Sequence, residues 1–312
     1  MTAVASRVRH FVSIADVEAD ELWTLLDLAA RLKTDRSPRR DLAGRSVALV
    51  FEKPSLRTRL SFDVGTAQLG GHCVYLSPAE VGLGRRESVS DVARVVGRMA
   101  DVVVLRVNAH ETIEEFARYS EVPVVNGLSD LSHPCQGLAD IFTIRERKGP
   151  DLHGVTIAYV GDGNNVAHSL MLCAAKTGAT LRVATPPGYE PLARFRQLAD
   201  AAARASGGRI ECGTDPRWAV DGADVVYTDV WTSMGQEQEY ERRRRAFHGY
   251  QVNAQLLAGA KSDAIVLHDL PAHRGEEITD EILDGPQSAV FDQAENRLHT
   301  EKALLCWLGA RR

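Results

Sequence analysis

Short, nearly uninterrupted apolar runs alternate along the chain with longer stretches in which apolar residues recur every three or four positions. The runs predict strands at 46–51, 73–76, 102–106 and 122–125 in the first half. In the second half they predict strands at 155–160, 181–184, 225–228, 264–267 and 290–291. The longer stretches predict helices over 18–32, 56–69, 88–99 and 112–119, then over 136–146, 166–177 and 191–204, with a last one over 295–308. Strands so rich in Val, Ile and Leu are expected to be covered by helices on both faces. Repeated strand–helix–strand units imply parallel sheets. The expected fold class is therefore α/β, with two doubly wound parallel-sheet domains.

Length agrees, since 312 residues suit two domains. The charged, helix-breaking Arg147-Lys148-Gly149-Pro150 marks the expected boundary, giving domains 1–148 and 149–294. Apolar residues make up 44% and charged residues 25%, as in a folded soluble protein rather than a disordered chain. A net charge of −5 disfavours a non-specific binder of nucleic acid or anionic membranes. No run reaches the roughly 18 apolar residues of a membrane span, and no secretory signal is read at the start. The cysteines (Cys73, Cys135, Cys173, Cys212, Cys306) are odd in number and scattered, without C-x-x-C. That argues against a disulfide scaffold or zinc ribbon and for a reducing, cytoplasmic setting. The run 242–245, four arginines after Glu237, Glu239 and Glu241, reads as a solvated, charge-laced helix face.

Six segments carry candidate chemistry, most of them at strand ends. Lys53-Pro54-Ser55-Leu56-Arg57-Thr58-Arg59 follows a strand and opens a helix. Free N–H groups and the helix dipole favour an anion there, with Ser55, Arg57 and Thr58 as donors. Ser55 as a plain N-cap is the blander reading. Gly161-Asp162-Gly163-Asn164-Asn165-Val166 follows the fifth strand. It lacks the third glycine of a dinucleotide fingerprint, and no acidic residue closes the next strand, so a nicotinamide enzyme is disfavoured. Asn164 and Asn165 bind polar groups or shape a turn.

His133-Pro134-Cys135-Gln136 would aim His133 and Gln136 out of a helix start. Asp229, at another strand end ahead of Ser233-Met234-Gly235, grips an ammonium or caps the next helix. His268-Asp269-Leu270-Pro271 closes a further strand. Glu295-Asn296-Arg297-Leu298-His299 opens the last predicted helix, where an arginine opposes the dipole and so has another job. Anion donors in the first half and ammonium-friendly groups in the second fit an active site in a cleft between the two domains. No metal site is read from the spacings.

Together these segments resemble the aspartate/ornithine carbamoyltransferase family, and its ornithine branch, from Phe51 to Leu305. Residues 51–59 resemble the family's S-T-R-T-R phosphate motif with Leu56 in place of Thr. His133-Pro134-Cys135-Gln136 is like its H-P-x-Q, and 229–237 is like the D-x-x-x-S-M-G loop. The resemblance implies transfer of the carbamoyl group of carbamoyl phosphate to the δ-amine of L-ornithine, giving L-citrulline and phosphate in arginine metabolism, with no cofactor and no obligatory metal.

It implies that Ser55, Leu56, Arg57 and Thr58 bind phosphate, and that Arg106, His133 and Gln136, with Pro134 and Cys135 alongside, hold the carbamoyl group. Asn165, Asp229, Ser233 and Met234 would hold ornithine, while Asp269, Leu270 and Arg297 complete the reacting centre. It further implies a carbamoyl phosphate-binding first domain with the helix at about 295–312 packed back on it, an ornithine-binding second domain, and a trimer. Two positions depart from the family pattern: Asp269 stands for the Cys of H-C-L-P, and Gly82 stands where a Gln is usual. A sibling acting on another acceptor (putrescine, an acylated ornithine, lysine) and a catalytically dead regulator are the competing expectations.

Overall fold

The structure is a computed structural model that describes residues 8–35, 37–233 and 235–309. Its residues cluster into two units. The first comprises the described residues up to Val17, Thr24–Cys135, and those from Arg297 onward; the second comprises Glu18–Trp23 and Gln136–Asn296.

In the first half the order is α1 (Ala19–Thr34), β1 (Ser46–Phe51), α2 (Leu56–Gln68), β2 (His72–Leu76), α3 (Pro78–Val81), α4 (Val89–Met99), β3 (Val102–Arg106), α5 (His110–Tyr119), β4 (Val124–Leu128) and α6 (Pro134–Lys148). The four strands form a parallel sheet in the order β2-β1-β3-β4. Every residue of β3 is buried, as expected of a central strand covered on both faces. Val50, Val103, Leu105, Ile113 and Phe116 belong to the core on one face.

The second half continues with β5 (Thr156–Val160), α7 (Asn165–Thr177), β6 (Thr180–Ala184), α8 (Ala193–Ser206), β7 (Arg209–Gly213), α9 (Pro216–Val220), β8 (Val225–Tyr227), α10 (Tyr240–Ala246), α11 (Ala254–Leu257), β9 (Ile265–Leu267), α12 (Asp280–Leu283) and α13 (Val290–Gly309). Its parallel sheet has the order β7-β6-β5-β8-β9. No helix among the described residues is long and apolar enough to cross a membrane.

Three expectations fail for local reasons. Residues 290–291 are not a strand but the first turn of α13. Val290 is buried and Phe291 exposed, and Val290, Ala294, Leu298 and Leu305 continue a helical rather than an alternating period. Strand β7 goes unpredicted because it is a polar edge strand in which Ile210 alone is buried. The arginine run 242–245 is not wholly a solvated face: Arg243 is buried while its three neighbours are exposed.

Candidate active site

In a parallel sheet all carboxyl ends lie along one edge, and ligands bind open α/β sheets there. In the first unit that edge carries the 53–58 segment after β1, Arg106 as the last residue of β3, and the loop after β4 that ends at His133. Ser55 is the N-cap of α2, its Oγ accepting from Thr58 N at 3.2 Å. The N-cap reading of Ser55 therefore holds, while its hydroxyl proton and the other first-turn N–H groups are donors suited to an anion. Leu56 is exposed, Arg57 half-buried and Thr58 buried.

Pro134 opens α6 with no N–H to satisfy, which leaves His133 at the cap position. Burial, and then Arg297, Arg106 and Arg57 in that order, hold His133 well below the ordinary histidine pKa. The imidazole is thus neutral and offers one N–H among three guanidinium groups. Cys135 is not reactive: its Sγ donates to the Asn126 carbonyl at 3.4 Å, and burial pushes its thiol pKa far up. Pro134 and Cys135 therefore offer a site only their backbone.

Arg297 does not open a helix. Helix α13 begins at Val290, about two turns earlier, so the dipole argument does not apply to it. Its position has another explanation. Nε and Nη2 donate to Glu301 Oε1 at 2.9 and 2.7 Å, and Nη2 also donates to Thr58 Oγ1 at 3.2 Å. The guanidinium is thereby tied to the first turn of α2. At Gly82 the backbone is left-handed, φ 57°, and a Cβ would lie 2.8 Å from that of Arg86. Glycine suits this turn, and a side chain here would strain the backbone and push Arg86 aside.

In the second unit β5 leads into Gly161–Asn165. A Cβ on Gly163 would sit 2.2 Å from Pro191 N, so only glycine allows this approach. Asn164 caps α7, its Oδ1 accepting from Val166 N and Ala167 N, and its Nδ2 donates to Asp229 Oδ2 at 2.7 Å. The amide that meets Asp229 belongs to Asn164; Asn165 Oδ1 accepts from Val166 N at 3.0 Å. Asp229 is buried just beyond β8 and caps no following helix, since α10 begins only at Tyr240. Ser233 N donates to Gln236 Oε1 at 3.1 Å, and Met234 lies outside the described residues.

Gln136 Nε2 donates to Asp140 Oδ1 at 2.8 Å, and the same oxygen accepts from Gln293 Nε2 at 2.6 Å. Beyond β9, Leu270 N donates to His268 Nδ1 at 2.9 Å while His268 Nε2 lies 3.1 Å from Glu277 Oε1. His268 therefore carries its proton on Nε2. Leu270 itself has φ 58°, a backbone that leucine rarely adopts and that costs strain of the kind found at functional sites.

One ligand atom each from Asp229, His268 and Asp269 lie within 4.8 Å of one another, and the same is true of His273, Glu276 and Glu277. Burial first, then Asp229, Asp162, Asp269 and Asp140, raise the phenol pKa of Tyr159 well above its ordinary value. Burial first, then Asp140, Asp269 and Asp229, do the same at Tyr227. This edge of the second unit is thus strongly anionic, whereas that of the first is cationic.

Asp140, Glu301, Arg243 and Glu277 were not singled out from the sequence. The i,i+4 spacings Gln136–Asp140 and Arg297–Glu301 were a readable signal for two of them. Arg243 shares that spacing with Glu239, but nothing local marks its burial against Asp162 and Trp231, nor that of Glu277 against His268.

Two family models match the chain: the carbamoyl-P binding domain of aspartate/ornithine carbamoyltransferase over residues 9–146, and its Asp/Orn binding domain over 153–308. An ornithine carbamoyltransferase from Acidothermus cellulolyticus is 57% identical over 302 residues, 96% of each chain. The solved ornithine carbamoyltransferase from Pyrococcus furiosus superposes with a TM-score of 0.93 at 50% identity, covering 97% of each chain. An anabolic ornithine carbamoyltransferase from Campylobacter jejuni superposes with a TM-score of 0.93 at 40% identity, covering 97% of this chain and 100% of that one.

Proposed function

The chain belongs to the aspartate/ornithine carbamoyltransferase family, and from this premise we infer how its residues work as an ornithine carbamoyltransferase. The enzyme transfers the carbamoyl group of carbamoyl phosphate to the δ-amine of L-ornithine, releasing L-citrulline and phosphate. The observation that carries the residue roles is the opposite charge of the two sheet edges. Three arginines surround a neutral His133 in the first unit, and Asp229 and Asp269 belong to a carboxylate group in the second.

The first unit binds carbamoyl phosphate. Its phosphate sits at the start of α2, held by Ser55, the Leu56 backbone, Arg57 and Thr58, with Arg297 behind them. Arg106 and His133 donate to the carbamoyl oxygen. Negative charge grows on that oxygen as the amine attacks, and each well-aimed donor there contributes about 3–4 kcal/mol. Because His133 is neutral, it offers one N–H without adding a further positive charge beside the three guanidinium groups. Arg57 takes up the charge that moves to the departing phosphate. Gln136, joined to Asp140, completes the carbamoyl contacts.

The second unit binds ornithine. Asp229, aligned by Asn164, takes the α-ammonium, while Asn165, Ser233 and the Met234 backbone take the carboxylate end. Asp269 and the Leu270 carbonyl receive the δ-amine. The acceptor must lose a proton to attack, since its free pKa is about 10.4.

The reading extends to a cytoplasmic homotrimer in arginine biosynthesis. Its support is the family resemblance, an anabolic relative, and exposed apolar side chains in the first unit, among them Leu56, Leu60, Val74 and Met99. Sedimentation of the purified chain reads the trimer directly. The deciding assay holds carbamoyl phosphate fixed and varies the acceptor. L-Ornithine should exceed putrescine by at least about 10²-fold in kcat/KM, because the diamine leaves buried polar groups unpaired. Equal rates would remove the assigned roles of Asn165, Asp229 and Ser233.

A further inference from the structure

Helix α13 carries a buried carboxyl group that the reaction above does not use. Glu301 is fully buried, one turn along from Arg297. Its Oε1 accepts from Arg297 Nε and Nη2. Its Oε2 lies 2.5 Å from Ser61 Oγ on α2, and that same Oγ lies 2.7 Å from the Arg57 carbonyl oxygen. A serine hydroxyl has one proton. The Arg57 carbonyl and an ionised Glu301 can both only accept, and one proton cannot fully serve two contacts this short. The short contact to Glu301 then needs a proton of its own, and the carboxyl oxygen is the atom able to carry it.

We propose that Glu301 is a positioning residue held as a neutral carboxylic acid, donating from Oε2 to Ser61 and accepting from Arg297 on Oε1. In that form it orients the Arg297 guanidinium toward Thr58 without cancelling its charge, so the full cation serves the phosphate end of carbamoyl phosphate. Loss of the proton converts the pair into an internal salt bridge, sets a carboxylate against the serine oxygen, and weakens the site for a dianion.

The surroundings agree. Burial pushes the Glu301 pKa up to about 7, against the lowering effect of the Arg297 charge. Within its neighbourhood Arg297 is on the same helix, Cys73 is on β2 and Cys135 is on α6. Cys73 is raised to about 11 and Cys135 higher still, both chiefly by burial, so neither thiol ionises near neutral pH. Arg57 and Arg106, which with Arg297 act on His133, stay charged throughout, and Glu301 is the group that titrates.

This inference rests on carbamoyl phosphate binding at the Arg57 end of α2. The test compares the wild type with Glu301→Gln, whose amide donates to Ser61 and accepts from Arg297 as the neutral acid does. Inorganic phosphate binding by calorimetry, and KM for carbamoyl phosphate, are measured at pH 6 and pH 8.5. Taking the ratio of variant to wild type at each pH cancels the titration of the ligand. The ratio of dissociation constants should be near one at pH 6. At pH 8.5 the variant should bind about three- to tenfold tighter, with kcat moving less than KM.

A ratio that is flat with pH, or a variant already much weaker at pH 6, overturns the proposal. Infrared difference spectra of wild type minus variant give a readout independent of activity and ligand. A carboxylic acid C=O band should be present at pH 6 and gone by pH 8.5, and its absence at pH 6 overturns the proposal. Citrulline formation, and loss of phosphate binding in Arg57→Gly, report on the site assignment separately.

Discussion

Arg243 and Asp162, 81 residues apart, form a buried ion pair with Nη1 donating to Oδ2 at 2.8 Å. The same Nη1 donates to the Trp231 carbonyl at 3.0 Å, and Nε donates to Glu239 at 3.0 Å. One guanidinium thus joins the 161–165 loop to the loop that carries Asp229 and Ser233. Burial outweighs the arginine at Asp162 and raises its pKa to about 6. Carboxylate stability is therefore asymmetric here. The contribution of the protonated form is complete below about pH 3.8 and is lost as pH rises through about 6.

Two substitutions should separate at pH 8. Arg243→Leu leaves a buried carboxylate unpaired and should cost about 3–5 kcal/mol. Asp162→Asn removes the ionisable group and should cost much less. Arg243→Leu should also raise KM for ornithine about tenfold, with KM for carbamoyl phosphate nearly unchanged, if the Trp231 carbonyl fixes the acceptor loop. Urea denaturation and two-substrate kinetics measure both effects. Equal destabilisation by the two variants would contradict the asymmetry.

The strand ends were legible because each depends on local pattern. Strands β1 and β3 have the predicted bounds, and the segments around Arg57, Arg106, His133, Asp229 and Asp269 all fall at or just beyond strand ends. What binds those segments together was not legible. Arg243 looks like its exposed neighbours in sequence and is buried only because Asp162 and Trp231 meet it in the fold. Asn164 caps α7 through Oδ1 and so turns its Nδ2 to Asp229, a pairing set by the geometry of the cap. Glu301 differs from an ordinary i,i+4 helix partner only through burial and Ser61. Local period fixes where chemistry is displayed; long-range pairing decides which atom displays it.

Arg57 stands at the second position of α2, half-buried, and helps hold His133 neutral. Its guanidinium is expected to act most strongly as charge moves to the leaving phosphate. Arg57→Gly should cut kcat by at least about 10³ with circular dichroism unchanged. Near-normal turnover in a folded variant would return Arg57 to a helix-surface role.

His133 should stay neutral wherever the enzyme is folded and active. Its pKa in the folded chain lies well below the usual 6.5, first through burial and then through Arg297, Arg106 and Arg57. The sign follows: stability from the neutral imidazole is complete above about pH 6.5 and is lost as pH falls below it, by up to about 1.4 kcal/mol per pH unit. His133→Gln should therefore flatten the acid limb of a stability–pH curve while lowering kcat at every pH. Imidazole nitrogen shifts by NMR should show no titration between pH 6 and 9. A titration within that range would remove the neutral donor from the mechanism.

Asp269 is the residue by which the chain leaves its family's pattern, and its role separates catalysis from loop architecture. If the carboxylate only shaped the loop, its partners would be His268, His273 or Arg274. The structure gives those groups other work. His268 Nδ1 lies 3.5 Å from Asp269 Oδ1, but it accepts the Leu270 N–H and so has no proton to offer. Arg274 donates to Asp280 and Asp284, and His273 Nδ1 faces Glu276 at 3.8 Å. Asp269 lies just beyond β9 with a carboxylate oxygen within 4.8 Å of one of Asp229, and we expect it to accept a hydrogen bond from the δ-amine and aim that amine's lone pair at the carbamoyl carbon. A carboxylate also raises an ammonium's pKa, which alone would hinder attack. Its benefit must then lie in orientation, or in taking the proton as the bond forms. A charge-assisted hydrogen bond contributes about 1.5–3 kcal/mol, so Asp269→Ala should lose roughly 10–150-fold in kcat/KM for ornithine with thermal stability nearly unchanged. Asp269→Cys should recover part of that loss, with its pH–rate profile displaced upward, because a thiol ionises near about 8.5 and a carboxyl near about 3.9. Steady-state kinetics of both variants from about pH 6 to 10, where the thiol titrates, decide the matter. Turnover by Asp269→Ala equal to the wild type, or a loss that tracks unfolding, would leave the carboxylate with no part in the reaction.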